Sequence, residues 1–342
     1  MIISFHADAD PRQIQAVRTK LESASSKLHL EQLTGTERVV LAAIGDASRV
    51  QELGLEGMPG VDHVIPIGSP YKLASRDVAK DNQHSVVNVG DVSIGANNFC
   101  LIAGPCTIEN REQALADAAA VADAGASMLR GGVFKPRTSP FSFQGLGVAG
   151  LQILAEMRDQ TGLPIVSELT EISYTEQVAE VVDVIQVGAR NMQNYALLQA
   201  VGKTGRPVLL KRGLSSTLDE LLMAADYILK EGNSEVILCE RGIRTFENAT
   251  RFTLDIAAVP YLKEHSHLPV IVDPSHAPGN RNLVPALSAA AAAAGADGII
   301  VEVTKEPENA LCDGPQQVYA SKFPQLVEKV RAHAALEGKK IS

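Results

Sequence analysis

The chain has no tryptophan, only 4% aromatic residues, and so many more acids than bases that its formal charge is −9. Without tryptophan, and with so few rings, any core has to be aliphatic. The 45% hydrophobic content is enough for a large one. The negative balance argues against a nucleic-acid binder, which carries a basic face. It also makes any local gathering of Lys and Arg significant. Cysteine is scarce: Cys100, Cys106, Cys239 and Cys312 show no CxxC spacing. In a chain of 342 residues they read as reduced thiols rather than a disulfide framework. Long apolar runs are missing too. The longest, Ala286 to Ala296, is too short and too rich in small residues to span a bilayer. The opening MIISFHADADPRQ has neither the charged nor the apolar stretch of a secretory signal. A cytoplasmic protein with no membrane and no nucleic-acid partner is the expectation.

The length suits a barrel-sized domain plus a small one. Residues 1–73 read as a self-contained βαββαβ unit of the ferredoxin-like kind. Its strands are expected at Met1–His6, Leu28–Leu33, Val39–Ile44 and Val61–Ile67. Its helices are expected at Pro11–Ser23, with Ile14, Val17 and Leu21 on one face, and at Ser48–Leu53. Residues 74–97 are a polar linker containing a hairpin signal, a Gly90-Asp91 turn between two alternating runs, suited to capping the next domain.

Residues 98–342 alternate strand and helix eight times. The strands are Phe99–Ala103, Met128–Val133, Pro164–Glu168, Val184–Val187, Val208–Lys211, Val236–Glu240, Val270–Asp273 and Gly298–Val303. Helical stretches such as Arg111–Ala124, Ser216–Lys230 and Leu283–Ala294 separate them. Eight regular units of this size predict a (β/α)8 TIM barrel. The competing open sheet lacks its usual GxGxxG after the first strand.

Nearly every strand ends in a polar group, and in a barrel all eight ends surround one mouth. The cations are Arg130, Lys135, Arg137, Arg190, Lys211, Arg212, Arg241 and Arg244, against Glu168 and Glu240. Buried Lys and Arg require partners. This surplus therefore points to more than one anionic substrate group, since arginine grips phosphate and carboxylate bidentately. The stretch DPSHAPGNR delivers His276 at the seventh strand end, and Cys106, Glu302 and Asp313 stand at or beyond others. A thiolate, an imidazole and two carboxylates can hold one divalent ion, with Mn, Fe, Co and Zn all open. Each also has a bland reading: a core thiol, a loop histidine, a lysine's partner, a helix cap. Spacing does not separate them.

Taken in order, GPC, LRGGVFKPRTSPFSFQGLG, GARNMQN, LKRG, ERGIRTF, DPSHAPG and EV…DGPQ make the chain recognisable. It resembles the 3-deoxy-D-arabino-heptulosonate 7-phosphate (DAHP) synthases, above all those with a ferredoxin-like N-terminal domain and a compact barrel. The resemblance implies a transferase that condenses phosphoenolpyruvate with erythrose 4-phosphate in the shikimate pathway to aromatic amino acids. It implies Cys106, His276, Glu302 and Asp313 as ligands of one divalent metal ion. Arg190, Lys211 and Arg241 would hold the phosphoenolpyruvate phosphate, and Arg130 and Lys135 would face its carboxylate and reacting centre. Arg137 and Thr138 would clamp the erythrose 4-phosphate phosphate, with Glu168 completing the substrate-binding set. Lys135, tuned by cationic neighbours, is the expected proton donor to the developing alkoxide, beside the catalytic Cys106 and His276.

Two positions depart from the family pattern: Thr304 where a histidine is common, and Cys312 where a serine is common. The nearest rival is 3-deoxy-D-manno-octulosonate 8-phosphate synthase, which uses arabinose 5-phosphate. Its aldose loop reads like KANRS rather than KPRTS, and it normally lacks the N-terminal domain. A non-catalytic, effector-binding barrel would require a lost key residue, and none is lost. For residues 1–73 the resemblance implies feedback inhibition by an aromatic amino acid, against a plain packing module, and for the whole chain a homotetramer.

Overall fold

The computed structural model describes residues 1–24, 28–34, 39–45, 50, 53–65, 69–78, 83–137 and 139–341. Backbone contacts divide the chain into two compact units, Met1–Pro70 and Tyr71–Ser342.

The first unit is a four-stranded antiparallel sheet in the order β2-β3-β1-β4: β1 (Ile2–Phe5), β2 (Leu28–Thr34), β3 (Val39–Gly45) and β4 (Val61–Ile65). The single α-helix described in it, α1 (Pro11–Ala24), buries Ile14, Val17 and Leu21, the face its spacing predicts. That face packs on Ile3, Phe5 and Leu41. Of the helix expected at Ser48–Leu53, only Val50 and Leu53 are described; a 3-10 turn follows at Leu55–Gly57. Strand order and helix placement are those of a ferredoxin-like fold.

The second unit begins with a hairpin, β5 (Val87–Val89) and β6 (Val92–Ile94), turning at Gly90 in the left-handed region (φ +58°). Eight parallel strands follow: β7 (Asn98–Gly104), β8 (Met128–Arg130), β9 (Ile165–Glu168), β10 (Val184–Val187), β11 (Val208–Lys211), β12 (Val236–Glu240), β13 (Val270–Val272) and β14 (Gly298–Thr304). Each pairs with the next, and β14 pairs back on β7 from Gly298↔Cys100 to Glu302↔Gly104, closing the barrel. Closure there is tight. A Cβ on Gly298 would meet Cys100 O at 2.4 Å, and one on Gly104 (φ +151°) would meet Arg130 O at 2.2 Å.

Helices α2 (Arg111–Asp123), α3 (Ala149–Thr161), α4 (Thr175–Val181), α5 (Tyr195–Lys203), α6 (Leu218–Lys230), α7 (Ala258–His265), α8 (Val284–Ala293) and α9 (Phe323–Leu336) follow the barrel strands in turn. Short strands β15 (Val318–Tyr319) and β16 (Lys340–Ile341) pair in parallel with β14 and β7. Helix α6 starts where Thr217 and Glu220 form a reciprocal capping box. The polyalanine run is α8, whose buried Ala289, Ala291 and Ala292 allow close approach. No described helix is long and apolar enough to cross a membrane.

Inside the barrel lies a separate aliphatic cluster. It comprises Cys100, Ile102, Met128, Val166, Val184, Leu209, Ile237, Cys239, Ile271 and Ile300, continuous with the hairpin's Val87, Val89, Val92 and Ile94. The hairpin therefore plugs one end of the barrel. The opposite end, where the strands finish, is left for chemistry.

Candidate active site

Side chains two residues apart on a strand share a face. The inward column therefore continues past its apolar members: Met128 to Arg130, Val166 to Glu168, Val184 to Gln186 and Leu209 to Lys211. The same step leads from Cys239 to Arg241, Ile271 to Asp273 and Ile300 to Glu302. Seven polar groups thus cap one aliphatic column. Above them opens a cavity of about 270 Å³, lined by Lys135, Arg137, Glu168, Arg190, Lys211, Arg241, Arg251, His276 and Asp313 among others.

Three of the cations counted at the strand ends do not line it. Arg130 lines a smaller cavity with Cys106, Lys135, Glu168 and His276. Arg212 is one residue out of register with Lys211, so it turns away and binds Glu240 (2.9 Å) and Asp255 (2.8 Å). Glu240 is thereby removed from the cavity's charge balance as well. Arg244 is exposed and is not among the cavity's lining residues. Thr138 lies outside the described residues.

Glu302 is fully buried, and its Oε1 has no hydrogen bond. That atom lies 3.2 Å from Arg130 Nη2 and 3.4 Å from His276 Nε2. Gln316 Nε2 donates to the other carboxylate oxygen at 2.6 Å. His276 Nδ1 is 2.7 Å from Asp273 Oδ2. Burial pushes the His276 pKa down to about 4, against the pull of Asp273 and Glu302. The neutral ring donates its Nδ1–H hydrogen bond to Asp273, leaving the Nε2 lone pair facing an unbonded carboxylate oxygen. Two acceptors turned toward each other across 3.4 Å are the arrangement of a cation site.

Cys106, Glu302 and Asp313 each bring one ligand atom within 4.8 Å of the others. Burial opposes ionisation of both carboxyls, but their cationic neighbours prevail and hold both below the ordinary carboxylate range. Burial, then Cys312 and Glu302, push the Cys106 thiol up. Of the four expected ligands, three form this cluster and His276 joins it through Glu302. The donor set and the orphaned oxygen both fit a divalent ion. The helix-cap reading of Asp313 falls away, since it caps the 3-10 turn Gly314–Gln316 with no side-chain hydrogen bond.

Lys135 Nζ lies 2.8 Å from Cys106 Sγ and 3.0 Å from Asp313 Oδ2. Its neighbours are a thiol and a carboxylate, not cations as the sequence suggested. Burial works against its charge, but Cys106, Glu302 and Asp313 outweigh it and hold the pKa above the ordinary lysine value. Lys135 is a fixed ammonium. Lys211 is paired with Asp273 at 2.5 Å. Arg137 donates to Cys312 Sγ (2.6 Å) and Phe143 O (3.2 Å). Arg130 and Arg241 are each 5% exposed, and each leaves Nε and Nη1 without a partner. Arg241 has no carboxylate within 4 Å among the described residues; its guanidinium carbon lies 4.6 Å from the Phe252 ring centroid.

The departures resolve differently. Thr304 points outward, donating to Asp117 (2.7 Å) on α2, whereas Cys312 reaches the site. Sequence reasoning missed Gln186, Asp273, Gln316 and Gln317, which orient Glu168, His276, Glu302 and the Cys106 backbone. The two-residue step from a buried apolar position is the signal that marks the first two.

Residues 76–335 match the DAHP synthetase I family, and residues 1–69 match a DAHP synthase ferredoxin-like domain. The chain is 46% identical over 342 residues to a phospho-2-dehydro-3-deoxyheptonate aldolase of Thermotoga maritima, covering 100% of both. A Geobacter sulfurreducens 2-dehydro-3-deoxyphosphooctonate aldolase is 35% identical over 73% of this chain and 98% of its own. The crystal structure of the Thermotoga maritima DAHP synthase covers 100% of this chain and 98% of its own, with a TM-score of 0.92 at 44% identity. A truncated form of the Thermotoga maritima synthase covers 79% of this chain and 98% of its own, with a TM-score of 0.74 at 46% identity. With its ferredoxin-like unit and its barrel matched in the same order, the chain belongs to the DAHP synthetase I family.

Proposed function

We propose that this chain is a transferase that condenses phosphoenolpyruvate, erythrose 4-phosphate and water into DAHP and inorganic phosphate. One observation carries the reading: Arg241 is buried with unbonded N–H groups in the cavity that Lys135, Arg137, Arg190 and Lys211 also line, and Arg130 is buried with unbonded N–H groups in a smaller cavity that shares Lys135, Glu168 and His276 with it. Buried cations with unmet donors need anions, and these two substrates bring two phosphates and a carboxylate.

Arg190, Lys211 and Arg241 bind the phosphoenolpyruvate phosphate, and Arg130 with Lys135 its carboxylate end. Arg137 and Thr138 take the aldose phosphate, and Glu168 lines the same cavity. A divalent ion of the Mn, Fe, Co or Zn class, held by Cys106, His276, Glu302 and Asp313, would supply Lewis acidity toward the aldehyde oxygen. As C3 of phosphoenolpyruvate forms the new bond, the aldehyde oxygen becomes an alkoxide and C2 becomes electron-poor. Lys135, kept protonated, gives its proton to that alkoxide. Water adds at C2 with loss of a proton, and the C2–O bond to phosphate then breaks, leaving the ketone and inorganic phosphate.

The test is phosphate release with erythrose 4-phosphate against arabinose 5-phosphate, with phosphoenolpyruvate and a divalent ion present. Preference for erythrose 4-phosphate is expected; preference for the longer aldose overturns the assignment. The ferredoxin-like unit supports inhibition by an aromatic amino acid. Deleting residues 1–70, the first compact unit, is expected to retain catalysis and abolish that inhibition, and unchanged inhibition in the truncated enzyme would rule the role out. The family also supports a homotetramer, which light scattering measures directly.

A further inference from the structure

Arg251 has no role in the scheme above, and nothing in its sequence position marks it, since β12 ends well before it at Glu240. The fold nevertheless brings it back to the cavity. Arg251 N donates to Pro278 O (3.2 Å) and Phe252 N to Ala277 O (2.7 Å), so both lie along the turn that carries His276. Ile243 and Thr253 exchange backbone hydrogen bonds, both 2.9 Å, closing the loop's base. Gly279 leaves room for the Arg251 stem, because a Cβ there would come within 3.0 Å of Arg251 Cβ. The side chain is therefore fixed at its root.

Its head is only partly engaged. Nη1 donates to Gln316 Oε1 (3.1 Å) and lies 3.5 Å from Asp313 Oδ1. The guanidinium carbon lies 5.7 Å from the Phe252 ring centroid, and the side chain remains 40% exposed while lining the cavity. Among the described residues, Nη1 alone of its side-chain nitrogens has a polar partner.

The segment Cys312-Asp313 is thus approached by two arginines, Arg137 at Cys312 and Arg251 at Asp313. Lys135 holds the other oxygen of Asp313. An aldose whose phosphate is at Arg137 and whose aldehyde is at Lys135 and Cys106 has its hydroxyl-bearing carbons between those points, along this segment. The planar, unpartnered donors of Arg251 suit adjacent hydroxyls. Fixed at its root and shared with Asp313, the guanidinium resists displacement by a longer sugar.

We infer that Arg251 contacts the aldose phosphate between its two ends and sets the length of sugar the site accepts. The inference rests on the synthase reading above. A residue that merely steadied Asp313 for the metal would behave differently, because its loss would weaken metal binding and leave the aldose preference alone.

The test compares full-length wild type with Arg251→Met, which keeps much of the stem's bulk, and Arg251→Lys, which keeps the charge without the planar fork. Each is assayed for KM toward phosphoenolpyruvate, erythrose 4-phosphate and arabinose 5-phosphate, and each is titrated with Mn²⁺ alone by chelator competition. In Arg251→Met, KM for erythrose 4-phosphate should rise at least about tenfold, with KM for phosphoenolpyruvate within about twofold. The kcat/KM preference for the shorter aldose should fall at least about tenfold, with Mn²⁺ affinity within about threefold. Arg251→Lys should recover part of the KM and little of the preference. An unchanged aldose KM and preference in Arg251→Met overturns the inference, as does a tenfold loss of Mn²⁺ affinity with preference intact. Wild type that releases phosphate with neither aldose, or prefers the five-carbon one, overturns the synthase reading itself and the inference with it.

Discussion

Arg241→Met is expected to cut kcat/KM for phosphoenolpyruvate by roughly 10³-fold, about 4 kcal/mol, while raising the melting temperature of the ligand-free protein. The two effects have one origin. Arg241 is 5% exposed, leaves Nε and Nη1 unbonded, and faces a phenylalanine ring rather than a carboxylate. Burial lowers its pKa even though nearby Asp273 works the other way. Each unmet buried donor costs about 1–3 kcal/mol, and replacing a buried charge by an apolar side chain of similar length is neutral or stabilising. The arginine is thus held in an unfavourable setting that a phosphate relieves. Phosphoenolpyruvate should raise the melting temperature of wild type and do so far less in the variant. Differential scanning calorimetry with and without phosphoenolpyruvate, alongside initial rates, measures both. A variant that melts lower and keeps its KM would make Arg241 a structural residue.

The same arginine shows where the sequence stops being readable. Eight apolar runs at regular spacing, each ending in a charge, were sufficient for the barrel and for the mouth as a region. They could not say which of two neighbouring polar residues enters the mouth. Val208-Leu209-Leu210 is buried on both faces, so the two-residue alternation that would orient Lys211 and Arg212 is invisible in residue type. Lys211 goes in and Arg212 goes out; Glu240 goes out and Arg241 goes in. Arg212 leaves together with Glu240 and Arg244 leaves alone, yet Arg130, Lys135, Arg137, Arg190, Lys211 and Arg241 still outnumber Glu168 among the groups counted, so the cationic surplus survives the correction.

The candidate metal ligands were legible as residue types at strand ends, but their supports were not. Asp273 belongs to the DPSH stretch and looked like a strand terminus; it binds both Lys211 and His276. Gln316 and Gln317 follow Asp313 as unremarkable polar residues, yet their side chains run back to Glu302 and to the Cys106 backbone. Those links are long in sequence and carry no local periodicity. The sequence around Lys135, KPR, is basic and implies cationic neighbours. In space its neighbours come from other strand ends and are acids and a thiol.

Cys106→Ala should lower divalent-metal affinity by more than the roughly 10–100-fold expected for removing a supporting group such as Gln316, and should leave almost no turnover. Cys106 is the soft donor of the expected ligand set, beside an imidazole and two carboxylates, and its Sγ belongs to the 4.8 Å cluster with Glu302 and Asp313. Its backbone N–H is held by Gln317 Oε1 at 3.1 Å, so the sulfur has a fixed origin that alanine keeps. Folding should therefore survive, and the loss should be confined to the ion. Without the thiol, Lys135 still has Asp313 at 3.0 Å. The ammonium should stay seated, and phosphoenolpyruvate binding should change little. Cys106→Ser separates softness from geometry: a hard hydroxyl in the same place should disfavour Zn²⁺ more than Mn²⁺. Metal content after dialysis, titration with each ion, and calorimetric binding of phosphoenolpyruvate to the metal-free protein give the three readouts. One equivalent of metal bound by Cys106→Ala at wild-type affinity would remove the thiol from the ligand set. A large loss of phosphoenolpyruvate binding would instead mean that Cys106 holds the arginine-lined pocket together.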